Sequence, residues 1–178
     1  MNRGAQIIRK LLPLLILLAA VLLAEGGKNL YKEWKLQPKE AQLILNGETM
    51  GQAASIRTEK VPLSQGYRLG ETCAVVPTQD ILEYWGLQTQ WINEEELRIS
   101  NGAHFVTFHY KGVDLTGTDG ETVPCWQSGD YACYRGRRVG RLESDVRILK
   151  QIVEELIPDA RVTCQIDEKE ATVHIDLS

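Results

Sequence analysis

Glycine and proline are scarce in this 178-residue chain, with 15 and 6 residues respectively. Hydrophobic residues make up 43% of the sequence and charged residues 25%. This composition excludes collagen-like, low-complexity and wholly disordered proteins. The length is sufficient for one domain or two small domains with a hydrophobic core, and it excludes a large multidomain enzyme. The sequence therefore predicts a small globular protein.

The chain also lacks an excess of positive charge and the common phosphate-binding motifs. It has 20 basic and 24 acidic residues, for a formal net charge of -4, so electrostatics give no reason to expect nucleic acid as a partner. No GxxxxGK[ST] motif is present, and no GxGxxG motif follows a predicted strand. We therefore expect no cofactor and no nucleic-acid partner.

Histidine is rare, with three residues in the chain, and the sequence has no CxxC motif. A three-histidine metal site would need His104, His109 and His174 to converge. His104 and His109 are five positions apart on a predicted strand, so their side chains point to opposite faces. We therefore predict no metal site, and we expect His104 to be partly buried and hydrogen bonded.

The sequence contains no recognisable catalytic arrangement. No serine lies in a GxSxG motif, which positions the nucleophile in many hydrolases. The adjacent acids at 94–96 and 154–155 lie on a predicted hairpin tip and a helix, whereas a glycosidase needs two acids facing each other across a cleft. We predict a protein that is not an enzyme. The alternative is an exported thiol-dependent enzyme, for which Cys164 and His174 form the least unfavourable pair.

The N-terminal segment has the organisation of an export signal. Arg3, Arg9 and Lys10 precede an uncharged run at 11–24, as in the charged and apolar regions of a signal peptide. As a helix the run would span about 21 Å, less than the roughly 30 Å of a bilayer core. Residues 1–26 are therefore predicted to be a signal peptide, with a retained membrane anchor as the alternative. We expect an extracytoplasmic protein that is secreted, associated with the cell envelope or anchored by a single membrane pass.

The four cysteines are consistent with export to an oxidising compartment, where an even number can pair. Cys125 and Cys133 flank the turn-forming sequence at 128–130, which favours a local disulfide. Cys73 and Cys164 would then form a long-range pair. The alternative is that the cysteines stay reduced as small buried apolar residues.

The body of the chain predicts an α+β fold of two degenerate repeats, each with one or more strands, a short helix and a β-hairpin. Residues 27–41 are predicted to be a polar linker. The first repeat, 42–102, has a strand ended by the turn dipeptide Asn46-Gly47 and a helix that begins at Pro77 and is ended by Gly86. A hairpin follows, and we expect the short helices to pack on antiparallel sheets.

The second, degenerate repeat occupies 103–178 and opens with a connecting strand. Its helix has an apolar face and is predicted to be capped by Ser144 and to end before Pro158. The hairpin tips at 92–96 and 166–170 align, and each follows its helix at a similar distance. The sequence therefore predicts an internal duplication.

A series of short motifs in the first repeat follows the order strand, strand, helix and strand: Leu43-Ile44-Leu45-Asn46-Gly47-Glu48, Gly70-Glu71 leading to Val76-Pro77, and Ile81-Leu82-Glu83-Tyr84-Trp85-Gly86-Leu87-Gln88-Thr89-Gln90-Trp91. This series resembles the copper amine oxidase N-terminal-like domain family, also called the stalk domain. The resemblance covers about 42–100, and a degenerate second copy covers about 131–178. Thr78 and Gln79 stand where the family usually has Leu-Arg.

The resemblance implies an extracytoplasmic module without copper. The family is named after the detachable stalk of an oxidase whose copper and quinone chemistry lie in a different domain. Its members occur in exported bacterial proteins, often beside cell-wall hydrolases, as interaction or spacer modules. We therefore expect a non-enzymatic module of the cell envelope.

Two surface features are candidates for ligand binding. The first is a cluster of guanidinium groups, which suit phosphate and carboxylate ligands: Arg135, Arg137, Arg138 and Arg141. The second is a set of aromatic residues around the predicted disulfide loop, which suit sugar rings or a protein partner: Trp126, Tyr131 and Tyr134. The alternatives are a soluble hairpin for the arginines and burial for the aromatics. Trp85 and Trp91 are interpreted as packing residues.

These features support two hypotheses of different kinds. In the first, the protein binds a cell-wall polymer or an envelope protein through the arginines and the neighbouring aromatics. In the second, it is a membrane-tethered structural spacer without a ligand, in which residues 1–24 are retained and provide the only contact with the membrane.

Overall fold

The computed structural model describes residues 26–125, 135–138 and 140–178, with the backbone alone described for 135, 136 and 138. The chain divides into two compact units, one up to Gln37 and one from Pro38 to Ser178. In the described part of the first unit, 26–36 form a helix, α1, where the sequence predicts a polar linker. Residues 28–36 are mostly good helix formers, which accounts for the difference. Within the described ranges, no helix has both the length and the apolar character needed to cross a bilayer.

The described residues of the second unit form two β-sheets and two helices, which confirms the α+β class. The seven-stranded sheet has the order β11-β12-β1-β2-β3-β10-β9, and the five-stranded sheet has the order β4-β5-β6-β7-β8. The elements are β1 (Lys39–Leu45), β2 (Glu48–Pro62), β3 (Tyr67–Val76), α2 (Thr78–Tyr84), β4 (Gln88–Trp91), β5 (Glu96–Ser100), β6 (Phe105–His109), β7 (Asp114–Thr116), β8 (Thr122–Pro124), β9 (Arg135–Arg138), β10 (Arg141–Asp145), α3 (Val146–Leu156), β11 (Val162–Asp167) and β12 (Thr172–Leu177).

Local turn and capping residues account for several element boundaries. Asn46 and Gly47 have φ values of 48° and 82°, as a two-residue turn with both centres in the left-handed region requires, and they join β1 to β2. Gly86 has a φ of 80° just beyond α2, where a glycine ends a helix with little strain. The N-cap of α3 is Asp145, one residue after the predicted Ser144.

Both helices of the second unit contact both sheets, so the core lies between them. α2 packs against β4 and β10, and α3 packs against β3, β6, β10 and β11. The apolar face of α3 is buried against apolar residues of the two sheets, which include Leu43, Leu45, Leu97, Ile99, Phe108, Leu115, Val173 and Ile175. Each such side chain contributes about 1.5 to 3 kcal/mol through burial. This core holds the two sheets at fixed positions around the helices.

The predicted duplication is not confirmed by the topology. The order strand, helix, hairpin does recur, as β3-α2-β4-β5 and again as β10-α3-β11-β12. The first hairpin belongs to the five-stranded sheet and the second to the seven-stranded sheet. β12 also pairs in parallel with β1, a long-range pairing without a counterpart in the first set of elements. Similar local patterns thus fold into different sheets.

The predicted pairing of Cys73 with Cys164 is wrong, because both residues are free thiols and the described residues contain no disulfide. Cys164 packs against the main core, whereas Cys73 is buried outside that core, beside Glu59 and Asp145. Burial, followed by the charge of Asp145, raises the pKa of both thiols, so both sulfurs stay protonated at neutral pH. Cys125 is buried, and its predicted partner Cys133 lies outside the described residues.

Candidate functional site

One member of the arginine cluster, Arg137, contacts the aromatic rings of Trp91 and Tyr110. We call these three residues the arginine platform. The guanidinium carbon of Arg137 lies 3.6 Å from the ring centroid of Trp91 and 5.4 Å from that of Tyr110. Arg137 is exposed, while the two aromatic residues are half-buried against the core. A guanidinium stacked on an aromatic face keeps its charge and the outward donors of its planar fork.

Trp91 is held in place by a buried glutamine of α2. The indole Nε1 donates to Oε1 of Gln79 at 3.1 Å, and the same oxygen accepts from the backbone N–H of Leu142 at 3.3 Å. The Gln79 amide nitrogen donates to Thr89 at 3.0 Å. Because Gln79 is only 5% exposed, its amide links β4, β10 and α2 in a fixed geometry. The ring beneath Arg137 is therefore part of the rigid scaffold.

Arg141 makes different contacts from Arg137. Its guanidinium pairs with the carboxylates of Asp80 and Glu83 on α2. Desolvation is the largest single influence on the pKa of Glu83 and raises it, but hydrogen bonds from Thr89, Arg141 and Gln79 outweigh it and lower the pKa overall. Arg141 also lines a cleft of about 340 Å³. Its charge is largely offset by these acids, which leaves it less suited to an external anion.

The remaining predicted binding residues lie partly or wholly beyond what the structure describes. Arg135 and Arg138 belong to β9, and their side chains are outside the described set. Three predicted aromatics lie there entirely: Trp126, Tyr131 and Tyr134. Sequence reasoning missed Tyr110 as a site residue and interpreted Trp91 as packing alone. The spacing of Thr89 and Trp91 indicates that they share one face of β4. The sequence does not show that Arg137 of β9 packs on that face.

A second charged cluster is buried, and we call it the buried ion cluster: Glu59, Cys73, Asp145 and Arg147. Arg147 donates to Oδ2 of Asp145 and to Oε1 of Glu59, both at 2.5 Å. Its backbone N–H also donates to Oδ1 of Asp145, at 2.9 Å, which completes the N-cap of α3. Burial alone would lower the pKa of Arg147, but its hydrogen bonds to Asp145 and Glu59 raise the pKa overall. Unpaired carboxylates at this depth would be costly, so Arg147 is a structural counter-ion.

The buried ion cluster also contains the one set of potential metal ligands found among the described residues. Ligand atoms of Glu59, Cys73 and Asp145 lie within 4.8 Å of one another. Burial, followed by the charge of Asp145, raises the pKa of the Cys73 thiol to about 12, so the thiol is protonated at neutral pH. With Arg147 bound to both carboxylates and the sulfur protonated, the arrangement suits an ion pair better than a metal.

The structure does not bring together Cys164 and His174, the pair considered for the alternative of a thiol-dependent enzyme. Cys164 is directly opposite Ile175 on the neighbouring strand, while His174 is opposite Gln165. Directly opposed residues share a face of the sheet, so the thiol and the imidazole lie on opposite faces. Burial also raises the pKa of Cys164 to about 11, which keeps the sulfur protonated.

The histidines do not converge among themselves either. His104 is exposed just before β6, which corrects the expectation of a partly buried residue. His109 is half-buried in a cleft of about 520 Å³, with its Nε2 2.9 Å from the Thr116 hydroxyl. Its Nδ1 lies 3.6 Å from Glu96, on the side away from that hydroxyl. His174 is on β12, in the other sheet.

Arg137 is thus an exposed cation on an aromatic support, and Arg147 is a half-buried cation between buried acids. The chain was compared with protein-family models, with curated proteins and with solved structures, and no match was found.

Proposed function

We propose that the protein is a non-enzymatic, exported module of the cell envelope that binds an anionic cell-wall polymer. The arginine platform is the proposed contact site, and its central observation is the exposed Arg137 guanidinium stacked 3.6 Å over the Trp91 ring. The resemblance to the copper amine oxidase N-terminal-like family is part of this proposal. That family supplies interaction and spacer modules to exported bacterial proteins.

The chemistry of the arginine platform matches a polymer that carries both anions and sugars. A guanidinium can donate two parallel hydrogen bonds to a phosphate or a carboxylate. The half-buried ring of Tyr110 lies beside that charge, and aromatic faces pack against sugar rings. Because the Trp91 ring is fixed by Gln79, little ordering is needed on binding.

The net negative charge of the protein limits where an anionic polymer can bind. The protein is acidic overall, with a formal charge of -4, so a long anionic polymer is repelled by most of the surface. Arg137 stands on a neutral aromatic support, whereas Arg141 is offset by two acids. We therefore assign the anion contact to Arg137 and not to the whole arginine cluster. An envelope protein with an acidic patch is the alternative partner.

A structural spacer without a ligand is the second candidate function. It is favoured by the pairing of Arg141 with α2, because that contact uses part of the arginine cluster within the protein. If every arginine of the cluster has such a role, none is needed for binding. The two candidates therefore differ in what the loss of Arg137 does.

Sedimentation with purified bacterial cell walls tests the proposal. The protein and its Arg137→Ala variant are mixed with walls at low and high salt, and the bound fraction is measured. Arg98→Ala is the matched control, since the guanidinium of Arg98 also lies over an aromatic ring, 4.7 Å from the centroid of Phe105. We expect saturable, salt-sensitive binding that is lost in Arg137→Ala and kept in Arg98→Ala.

Two results would count against the binding function. If the unaltered protein does not sediment with walls, the polymer is not the ligand, and the acidic envelope protein and the spacer remain. If both arginine variants lose binding equally, the interaction reflects general charge and not the arginine platform.

A further inference from the structure

Helix α1 presents a stripe of large apolar side chains to solvent. Leu30 is 73% exposed, and Tyr31 and Trp34 are each 55% exposed. Trp34 follows Leu30 by four positions and Tyr31 by three, so the three side chains lie along one side of the helix. The rings of Tyr31 and Trp34 are 6.1 Å apart between centroids. The three side chains therefore form one continuous apolar surface.

A basic stripe runs beside the apolar one. Lys28, Lys32 and Lys35 are spaced by four and then three positions, so they also share a side of the helix. Lys35 borders the apolar stripe, since its Nζ lies 5.7 Å from the Trp34 ring centroid. Glu33 is the one acid within 26–36. The helix is thus locally positive in a protein whose net charge is negative.

We propose that α1 lies in the interface of an anionic lipid bilayer, with Leu30, Tyr31 and Trp34 inserted at the headgroup level. Tryptophan and tyrosine are enriched at that level because their rings have an apolar body and a polar group. Lysines flanking an apolar face attract anionic headgroups, which adds about 1 kcal/mol per residue near the surface. Charge complementarity therefore favours lipid over a protein partner for this helix.

The position of α1 in the chain is consistent with this placement. It also allows the placement to be distinguished from a helix that only links the second unit to a membrane anchor. The uncharged run at 11–24 ends ten residues before Trp34. If the run is retained as a membrane anchor and α1 projects straight away from the membrane, Trp34 stands about 15 Å beyond the run. If α1 lies in the interface, the Trp34 ring contacts lipid. The proposal is independent of the arginine platform and concerns a different unit of the protein.

Fluorine NMR of the full-length protein in nanodiscs tests the placement. The protein carries 5-fluorotryptophan, and the discs contain phosphatidylcholine and phosphatidylglycerol in equal parts. Trp34→Phe and Trp85→Phe assign two of the four tryptophan resonances. A headgroup-level spin-labelled lipid and a water-soluble gadolinium chelate are added in separate samples. We expect the spin-labelled lipid to remove most of the Trp34 signal while the Trp85 signal is retained, and the chelate to leave Trp34 largely unaffected.

Charge reversal tests the role of the lysines. The triple variant Lys28→Glu, Lys32→Glu and Lys35→Glu should restore the Trp34 signal in the presence of the spin-labelled lipid. The matched control reverses three exposed lysines of the second unit: Lys60, Lys111 and Lys150. That control changes the net charge by the same amount but leaves α1 unaltered. It should therefore keep the loss of Trp34 signal that is seen for the unaltered protein.

Each contrary pattern overturns the proposal. Broadening of Trp34 by the chelate alone would place α1 in water. Protection of Trp34 from both agents would show that protein covers the helix, either a second copy or another part of the chain. If the spin-labelled lipid removes the Trp34 signal equally in the lysine-reversal variant, anionic headgroups have no role in the placement.

Discussion

Arg147 and Arg137 have the same side chain, but the fold places them in opposite surroundings. The Arg147 side chain is 21% exposed and bonds to Asp145 and Glu59, whose side chains are 0% and 2% exposed. Arg137 is exposed and rests on the rings of Trp91 and Tyr110. The partners of an arginine therefore determine its role. A guanidinium between buried acids stabilises the fold, and one on an aromatic support keeps donors for a ligand.

The largest effect should come from removing the Arg147 charge, which pairs with two buried acids. Arg147→Met leaves Glu59 and Asp145 as unpaired acids in the interior, which costs about 3 to 5 kcal/mol when one partner of a buried pair is deleted. Urea unfolding followed by circular dichroism measures this loss. The control is Arg98→Met, because Arg98 is exposed at the surface and its loss should cost less than about 1 kcal/mol. Equal costs for the two variants would contradict the structural role of Arg147.

Thr78→Val should have the next largest effect. The Thr78 hydroxyl is 2.5 Å from that of Ser144, and both residues are 0% exposed. Losing one partner leaves a buried hydroxyl short of a hydrogen bond, at a cost of about 1 to 3 kcal/mol. Thr122→Val is the matched control, since its hydroxyl pairs with Thr116 at 2.9 Å at the surface. Urea unfolding should show a clear loss of unfolding free energy for Thr78→Val and almost none for Thr122→Val.

Alkaline pH should destabilise the protein through Cys73. The folded-state pKa of about 12 is above the ordinary value of 9.0, so the folded state retains a proton that the unfolded state releases. The stabilisation is fully present below pH 9 and is lost as pH rises toward 12, by about 1 kcal/mol near pH 10.

Urea unfolding between pH 8 and pH 10 measures this slope. Cys73→Ala should show a shallower loss of stability with pH than the unaltered protein. Parallel slopes for the two proteins would contradict the raised pKa, whatever the variant costs at neutral pH.

Arg141→Ala should have the smallest effect on stability. The pair of Arg141 with Glu83 is substantially exposed, with side chains 38% and 40% accessible, and such pairs contribute less than about 1 kcal/mol. Because the pKa of Glu83 is lowered on folding, the contribution is present above the unfolded pKa and is lost as pH falls through the folded pKa. Unfolding at neutral and acidic pH should show that the variant's small deficit disappears in acid. A deficit that persists in acid would contradict the pairing.

Several local elements could be predicted from the sequence, because they depend on neighbouring residues, whereas helix α1 and strands β7 to β10 were not predicted. Asn46-Gly47 predicts the first hairpin turn, and both residues have positive φ values. The apolar face of α3 and the hairpin of β11 and β12 also follow from periodicity. Long-range pairing could not be predicted in this way. The parallel contact of β1 with β12 joins residues at opposite ends of the second unit, and no local pattern specifies it.

The candidate site illustrates the same limit. The arginine cluster is visible in the sequence, but its members differ in role because α2 supplies acids to Arg141 while β4 supplies a ring to Arg137. Glu59 was not identified as part of a site, since an acid within a strand gives no sign of burial until its partner Arg147 is placed beside it. Roles that depend on which elements become neighbours require the topology.

Measuring the stability and the wall binding of Arg137→Ala side by side tests the role of the arginine platform most directly. A stacked guanidinium at an exposed site contributes only about 0.5 to 1 kcal/mol to folding. We expect the free energy of unfolding in urea to change by no more than this amount, while sedimentation with purified cell walls is lost. Undiminished sedimentation of a normally folded Arg137→Ala protein would contradict the proposed role of the arginine platform.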